Sequence, residues 1–234
     1  MKEEKTNSKL KIRSILKKLL IILIIVGLFY VLIITGLLNR FQRGIQNSIN
    51  GEVYTSEGIY IGDMDFGIFE GEGTYKYYNG SSITGSFSNN KMQGNGTGTY
   101  KDTGKYSGEF KDSTFNGEGS FVWDIGDSYN GNWKDGLPDG SGKYSYSNIG
   151  VYEGDFSKGK REGKGSFKWT DGKKYVGGWH NDMMHGSGEI TFFDGTVLSG
   201  TFSGNKLKSG TYSISTKEAE YTVKYKDNDT ISGK

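Results

Sequence analysis

A repeat of 23 residues runs through most of the chain without a gap, and it restricts the possible folds more than any other feature. The same position of successive repeats holds a large apolar residue: Tyr60, Ile83, Tyr106, Tyr129, Tyr152, Tyr175, Leu198 and Tyr221. Glycine follows the first seven two residues later: Gly62, Gly85, Gly108, Gly131, Gly154, Gly177 and Gly200. A period of this length is typical of repeat proteins in which each unit buries its apolar face against the next unit.

A second block with the same period consists of a G-x-G pair, as at Gly163 and Gly165, usually followed by an aromatic-x-aromatic pair. Both blocks alternate with period two, which indicates β-strands. Each repeat is therefore predicted to be a hairpin: a strand Y-x-G-x-W, a polar loop of about six residues, and a strand G-x-G-x-F-x-W. Between repeats, Asn79-Gly80, Asp171-Gly172 and Asp194-Gly195 are dipeptides that accept positive φ in tight turns.

The packing expected of these hairpins explains why 38 glycines occur beside 33 aromatic residues. Side chains at i, i+2 and i+4 of a strand project from one face, so an aromatic ring can cover a glycine of the neighbouring strand. The other face is polar. We therefore expect an all-β fold, an elongated single-layer antiparallel hairpin solenoid, over residues 52–234. The seventh unit restarts one residue early at Gly210 and is predicted to cap the stack.

The N-terminal part of the chain has a different composition. Residues 19–38 form an uncharged apolar stretch of twenty residues, enough for a transmembrane helix of roughly 30 Å. Seven basic residues precede this stretch, and only Arg40 and Arg43 follow it closely. The positive-inside rule then predicts a cytoplasmic basic tail (1–18), a juxtamembrane linker (39–51), and a repeat domain outside the cell. The chain is thus expected to be a single-pass protein of the cell membrane.

The complete pattern, Y-x-G-x-[WF]-x₆-G-x-G-x-[FY]-x-[WYF]-x₂-G, resembles the MORN repeat (membrane occupation and recognition nexus). Residues 152–172 match it throughout, and His185-Gly186-Ser187-Gly188 is similar to the H-G-x-G element of that family. The resemblance implies a β-hairpin solenoid used for binding, scaffolding or dimerisation. It transfers no catalytic or ligand-binding residue onto this chain, because the shared positions are structural.

Catalytic and cofactor motifs are absent from the sequence. There is no G-x-x-x-x-G-K-[ST] loop, no G-x-G-x-x-G fingerprint, no cysteine and no H-E-x-x-H motif. His180 and His185 are interpreted as loop residues of the repeat. The sequence predicts a protein that is not an enzyme, has no cofactor and no metal site, and does not bind nucleic acid.

One segment is a candidate ligand surface. Residues 158–174 carry seven basic and two acidic residues, whereas residues 51–234 as a whole are acidic. The candidate residues are Lys158, Lys160, Arg161, Lys164, Lys168, Lys173 and Lys174, with Phe167 and Trp169 among them. A basic stripe with interleaved aromatic rings suits anionic headgroups, cell-surface polymers or an acidic partner.

Three functional hypotheses follow from these features. The first is a membrane-anchored, non-catalytic scaffold that presents its repeat surface to an unidentified protein, or to a second copy of itself. The second is a tether that binds lipid or an anionic polymer through residues 158–174. The third is a regulatory subunit of an enzyme, which rests only on the occurrence of similar repeats beside catalytic domains in other proteins.

Overall fold

The computed structural model describes residues 31, 33–35, 48–49, 51–215 and 220–226. Within them, 17 strands form one antiparallel sheet in which every strand pairs with the next along the chain. The strands are β1 (Ser48–Ile49), β2 (Glu52–Tyr54), β3 (Gly58–Asp65), β4 (Ile68–Tyr77), β5 (Ser82–Ser88), β6 (Lys91–Tyr100), β7 (Gly104–Lys111), β8 (Thr114–Trp123), β9 (Ser128–Lys134), β10 (Leu137–Tyr146), β11 (Gly150–Ser157), β12 (Lys160–Trp169), β13 (Lys174–His180), β14 (Met183–Thr191), β15 (Val197–Ser203), β16 (Lys206–Ser215) and β17 (Glu220–Lys226). The predicted antiparallel hairpin solenoid is confirmed for these residues. The sheet starts slightly before the expected Glu52, because β1 pairs with β2.

The turn inside each hairpin is shorter than the six-residue loop that the sequence suggested. In the hairpin β13–β14, His180 pairs with Met183, and only Asn181 (φ 48°) and Asp182 (φ 67°) lie between the strands. Positive φ at both central residues is the type I′ geometry that matches the twist of paired strands. The same geometry recurs at residues 66–67, 89–90, 112–113, 135–136, 158–159 and 204–205. The residues expected to form the loop instead lengthen the two strands.

The connections between hairpins contain the Asn-Gly and Asp-Gly dipeptides noted in the sequence. The two residues of each dipeptide have different roles. Gly80, Gly172 and Gly195 have positive φ, between 85° and 92°. The preceding Asn79, Asp171 and Asp194 instead accept hydrogen bonds through their side chains from the N–H groups two residues further on, at 2.8–2.9 Å. Such local side-chain bonds fix the loop between one hairpin and the next.

A continuous row of paired glycines crosses 14 successive strands of the sheet, from β3 to β16. Each glycine is the register partner of the next: Gly62, Gly73, Gly85, Gly96, Gly108, Gly119, Gly131, Gly142, Gly154, Gly165, Gly177, Gly188, Gly200 and Gly210. We call this the glycine row. It runs along the ribbon, perpendicular to the strands, and divides each face lengthwise.

A register shift follows the glycine row in all seven hairpins, as between Gly177 and Trp179 in β13. These bulges explain the irregular seventh unit. In β14, three residues separate Met184 from Gly188, whereas in β16 only two separate Leu207 from Gly210. Because the bulge in β16 is one residue shorter, the early restart in the sequence still places Gly210 opposite Gly200.

The predictions about the N-terminus need correction. Most of residues 19–38, and all of residues 1–18, lie outside the described residues; of that stretch, Val31 and residues 33–35 are described, in helical conformation. Among the residues that the structure describes, no helix is long and apolar enough to cross a membrane. The prediction of a single-pass cell-membrane protein with a cytoplasmic N-terminus and an extracellular repeat domain is therefore not supported and is withdrawn.

Candidate binding groove

The tyrosines of the repeat cover the glycine row on one face of the sheet. Their side chains are 0–1% exposed, and a Cβ added at the glycine of the neighbouring strand, such as Gly165 beside Tyr152, would overlap the ring. The tyrosines concerned are Tyr60, Tyr106, Tyr129, Tyr152 and Tyr175. Each hydroxyl donates a hydrogen bond of 2.9 Å to the carbonyl three residues later. On this face, the tyrosine rings therefore pack directly against the glycine backbone.

The environment of these phenols favours their neutral form. Burial is the main cause, and it raises the pKa of Tyr60, Tyr106 and Tyr129 to about 12. Neighbouring carboxylates add to the effect, Asp63 at Tyr60 and Glu109 at Tyr106. A phenolate would lose its bond to a backbone carbonyl and would be poorly solvated. The rings therefore act as hydrogen-bonded covers and are poorly suited to act as bases at neutral pH.

A second row of side chains lies on the same face. Each member is the second residue of the second strand of its hairpin. We call it the stacking row: Phe69, Met92, Phe115, Pro138, Arg161, Met184 and Leu207. Phe69 stacks on Tyr60, and Phe115 stacks on Tyr106, each with ring centroids 3.9 Å apart. These contacts join the hairpin's own two strands on the aromatic face.

A third row lies nearer the connecting loops, at or directly after the end of the second strand in the first six hairpins. This outer row consists of Tyr77, Tyr100, Trp123, Tyr146, Trp169 and Phe192, and all six are only partly buried. The outer row and the stacking row flank buried rings such as Phe121, Phe167 and Trp179. The two rows touch where Tyr100 meets Phe115 edge to face, with ring centroids 5.5 Å apart. We refer to the trough between the two rows as the aromatic groove.

The groove contains a pocket of about 470 Å³ in its C-terminal half. Its walls are Tyr146 and Trp169 of the outer row and Arg161 and Met184 of the stacking row, and it is completed by Ile149, Phe167, Trp179, Asp182 and Asn205. The Arg161 guanidinium lies 4.3 Å from the centroid of the Trp179 ring. It also donates to the backbone carbonyl of Asp182 at 2.7 Å and to its carboxylate at 3.3 Å. An aromatic pocket with an oriented cation can bind apolar and anionic groups together.

The opposite face of the sheet is polar along the glycine row. A wide depression of about 710 Å³ is floored by five glycines of β7–β11. Its walls carry hydroxyl, amide and charged groups from Ser107, Glu118, Ser120, Asn130, Asn132, Ser141, Lys143 and Glu153. No aromatic side chain lines this depression. It is a solvated sheet face, in agreement with the expected alternation of apolar and polar sides.

The basic residues that the sequence grouped together are divided between two faces and two edges. Arg161, Phe167 and Trp169 lie in the aromatic groove, and the Lys173 ammonium is 4.2 Å from the Trp169 ring centroid. Lys168 and Lys174 are direct register partners in β12 and β13, on the polar face together with Lys164 because residues 164 and 168 share one parity along β12. Lys158 and Lys160 lie at the two-residue turn, where Lys160 donates to Asn181.

The two histidines lie at the edge formed by the two-residue turns. His180 Nδ1 is 2.9 Å from Glu162 Oε1, and its ring centroid is 5.5 Å from that of His185. The N–H of Asn181 and then His180 lower the pKa of Glu162 below its usual value. Within the described part of the chain, no group of three or more His, Asp or Glu residues is arranged to hold a metal ion.

Two features of the face were missed from the sequence. One is the stacking row, whose chemistry varies from hairpin to hairpin. The other is a set of bonds between successive turns: the side-chain oxygens of Asn90, Ser113, Asp182 and Asn205 accept N–H groups of the stacking row one hairpin earlier, at 2.8–3.0 Å. The sequence signal that could have predicted these bonds is a short polar residue at the second turn position, repeated about every 23 residues.

The comparison with protein-family models agrees with the 23-residue repeat. A family model described as MORN repeat matches residues 60–82, 84–105, 106–128, 129–148, 152–174 and 175–197, more than half of the chain. No curated protein matches the chain significantly. Among solved structures, the TCP domain of Drosophila melanogaster SAS-4 (dCPAP), determined in complex with a proline-rich motif of Ana2 (dSTIL), is similar with 12% identity and a TM-score of 0.41. The match covers 65% of this chain and 83% of that one.

Proposed function

The chain belongs to the MORN-repeat family, and from that premise we propose that it is a binding or scaffold module that holds an extended segment of a partner protein in the aromatic groove. MORN repeats generally serve binding rather than catalysis. The observation that carries the proposal is the pocket between Tyr146, Arg161, Trp169 and Met184. Trp, Tyr, Arg and Met are enriched where proteins bind other proteins.

The sheet has a single layer, so side chains of the groove have no second sheet or helix packed over them among the described residues. The outer row repeats its partial exposure in each hairpin. A contiguous apolar surface of this kind marks an interaction site on soluble domains. Because the groove is a trough between two rows of side chains, it suits a chain-like ligand better than a flat surface of a folded domain.

A library of random linear peptides selected on the full chain tests this function. Trp169→Ala is expected to weaken the selected peptides by about tenfold or more, the effect of removing a central aromatic contact. Phe193→Ala is the matched control, because Phe193 is 82% exposed in a loop and does not line the pocket. Circular dichroism checks that both variants remain folded. Peptides that bind the Trp169→Ala variant as tightly as the unmodified protein contradict the proposal.

The polar face supplies a second candidate function, the binding of an anionic polymer through Lys164, Lys168 and Lys174. The supporting observation is the direct pairing of Lys168 with Lys174, because like charges opposite each other in a sheet repel and an anion relieves the repulsion. Inorganic polyphosphate is a suitable probe. Its binding is expected to weaken in Lys174→Gln and with added salt, while Lys91→Gln, at a distant turn, leaves it unchanged. Equal binding to both variants contradicts this candidate.

A further inference from the structure

The outer row sets a regular spacing along the aromatic groove. Its members stand at or directly after the ends of alternate strands from β4 to β14, with Tyr146 ending β10 and Trp169 ending β12. Neighbouring strands are about 4.8 Å apart, so successive members of the row are spaced by roughly 9.5 Å. A ligand that contacts several hairpins in the same way must repeat its own contacts at that interval.

Regular peptide conformations differ in whether they meet this interval. Side chains on one face of a β-strand recur at about 6.7 Å and about 13 Å, and neither distance fits. In an α-helix, residues i and i+7 share a face at about 10.5 Å, so the mismatch grows by about 1 Å with each hairpin. In a polyproline II helix, every third residue shares a face, and the rise is about 9.3 Å per turn. The polyproline II spacing stays in register over several hairpins.

We infer that the aromatic groove selects peptides in the polyproline II conformation that carry a large apolar side chain at every third position, one for each hairpin. This inference rests on the proposed function and specifies the ligand of the same site. The recurring element is the outer row itself, whose six aromatic rings are all partly buried. The described pocket lies between two of its members, Tyr146 and Trp169.

The charges around the described pocket add a preference at the remaining ligand positions. Arg161 has a side chain that is 18% exposed, and Lys173 lies over Trp169. Both cations are on the aromatic face, and Asp182 pairs with Arg161. A carboxylate of the peptide beside the C-terminal pocket therefore completes the local charge balance, which makes an acidic peptide the better ligand there.

Three labelled peptides of identical composition test the inference against the full chain by fluorescence anisotropy. Each has about 15 residues, five turns of polyproline II, and they place the same apolar residues at every third position, at alternate positions, or in a heptad pattern. The peptide with period three is expected to bind at least about tenfold more tightly than the other two. Trp123→Ala and Trp169→Ala, one hairpin apart on either side of Tyr146, are each expected to weaken it, and Phe193→Ala is the control.

The possible results separate the inference from the proposed function. If the alternating or heptad peptide binds best and Trp169→Ala weakens it, the groove binds peptides and the inference about conformation is overturned. If none of the three binds, or if binding is insensitive to both tryptophan variants, the inference fails together with the proposed function. Shortening the period-three peptide by one turn is expected to weaken binding stepwise; affinity that is independent of length also overturns the inference.

Discussion

Two hairpins cover the glycine row with different side chains. In β11–β12, the ring of Tyr152 covers Gly154 and Gly165. In β5–β6, the position of the tyrosine holds Ile83, and the methyl end of Met92 reaches over Gly85 and Gly96 instead. Leu207 does the same for Gly200 and Gly210, where Leu198 replaces the tyrosine. The fold therefore requires that the glycine row be covered, and either strand of a hairpin can supply the cover.

The largest expected effect comes from filling the space that the cover occupies. Gly165→Val is expected to destabilise the fold by about 4 kcal/mol, since a side chain there displaces the Tyr152 ring and loses its packing. The backbone at Gly165 does not have positive φ, so the effect is steric. Chemical denaturation measures it. Gly186→Ala is the control: Gly186 has φ 67° and open space around it, so its cost is about 1 kcal/mol. Equal costs would argue against steric exclusion.

Removing the alternative cover is the next test of the comparison. Met92 is fully buried, and Met92→Ala is expected to cost about 3 kcal/mol, because it leaves a cavity over Gly85 and Gly96. Met183→Ala, at the exposed first residue of β14, is expected to cost less than about 0.5 kcal/mol. Thermal or urea unfolding of both variants measures the difference. A Met92→Ala variant as stable as Met183→Ala would show that the hairpin does not depend on this cover.

Alkaline pH tests the tyrosine covers of the glycine row, with no expected effect near neutrality. The pKa of Tyr60, Tyr106 and Tyr129 is raised from 10 to about 12. A folded-state pKa above the unfolded value contributes stability that is complete below pH 10 and is lost as the pH rises through 12. The free energy of unfolding, measured by urea denaturation, is expected to be constant up to about pH 10 and to fall from there to about pH 12. A stability that does not fall over this range would contradict the role of these phenols as buried, hydrogen-bonded covers.

The sequence was sufficient for the parts of the fold that depend on periodicity. The 23-residue spacing of Tyr152 and its equivalents predicted the hairpins, and the glycine two residues later predicted the ring-over-glycine packing. The turns were predicted too long, because the register shift after Gly177 lets the strands continue where polar residues suggested a loop. The membrane localisation was wrong as judged from the described residues.

The groove could be predicted only in part. Partly exposed aromatic rings follow from a one-layer sheet, but the stacking row is occupied by residues as different as Phe115, Pro138 and Arg161, so no single chemical pattern marks it. The basic cluster illustrates a second limit. Residues adjacent in β12 point to opposite faces, so Lys168 and Trp169 are separated by the sheet although they are neighbours in sequence.

A double-mutant cycle in β5–β6 tests the requirement for a cover most directly. Ile83→Tyr alone puts a ring where Met92 lies, and Met92→Phe alone removes the existing cover, so each is expected to destabilise the fold. Together they recreate the stacked pair of Tyr60 with Phe69. The predicted result is a favourable coupling of at least about 1.5 kcal/mol in the free energy of unfolding. Additive effects, within about 0.5 kcal/mol, would contradict the account.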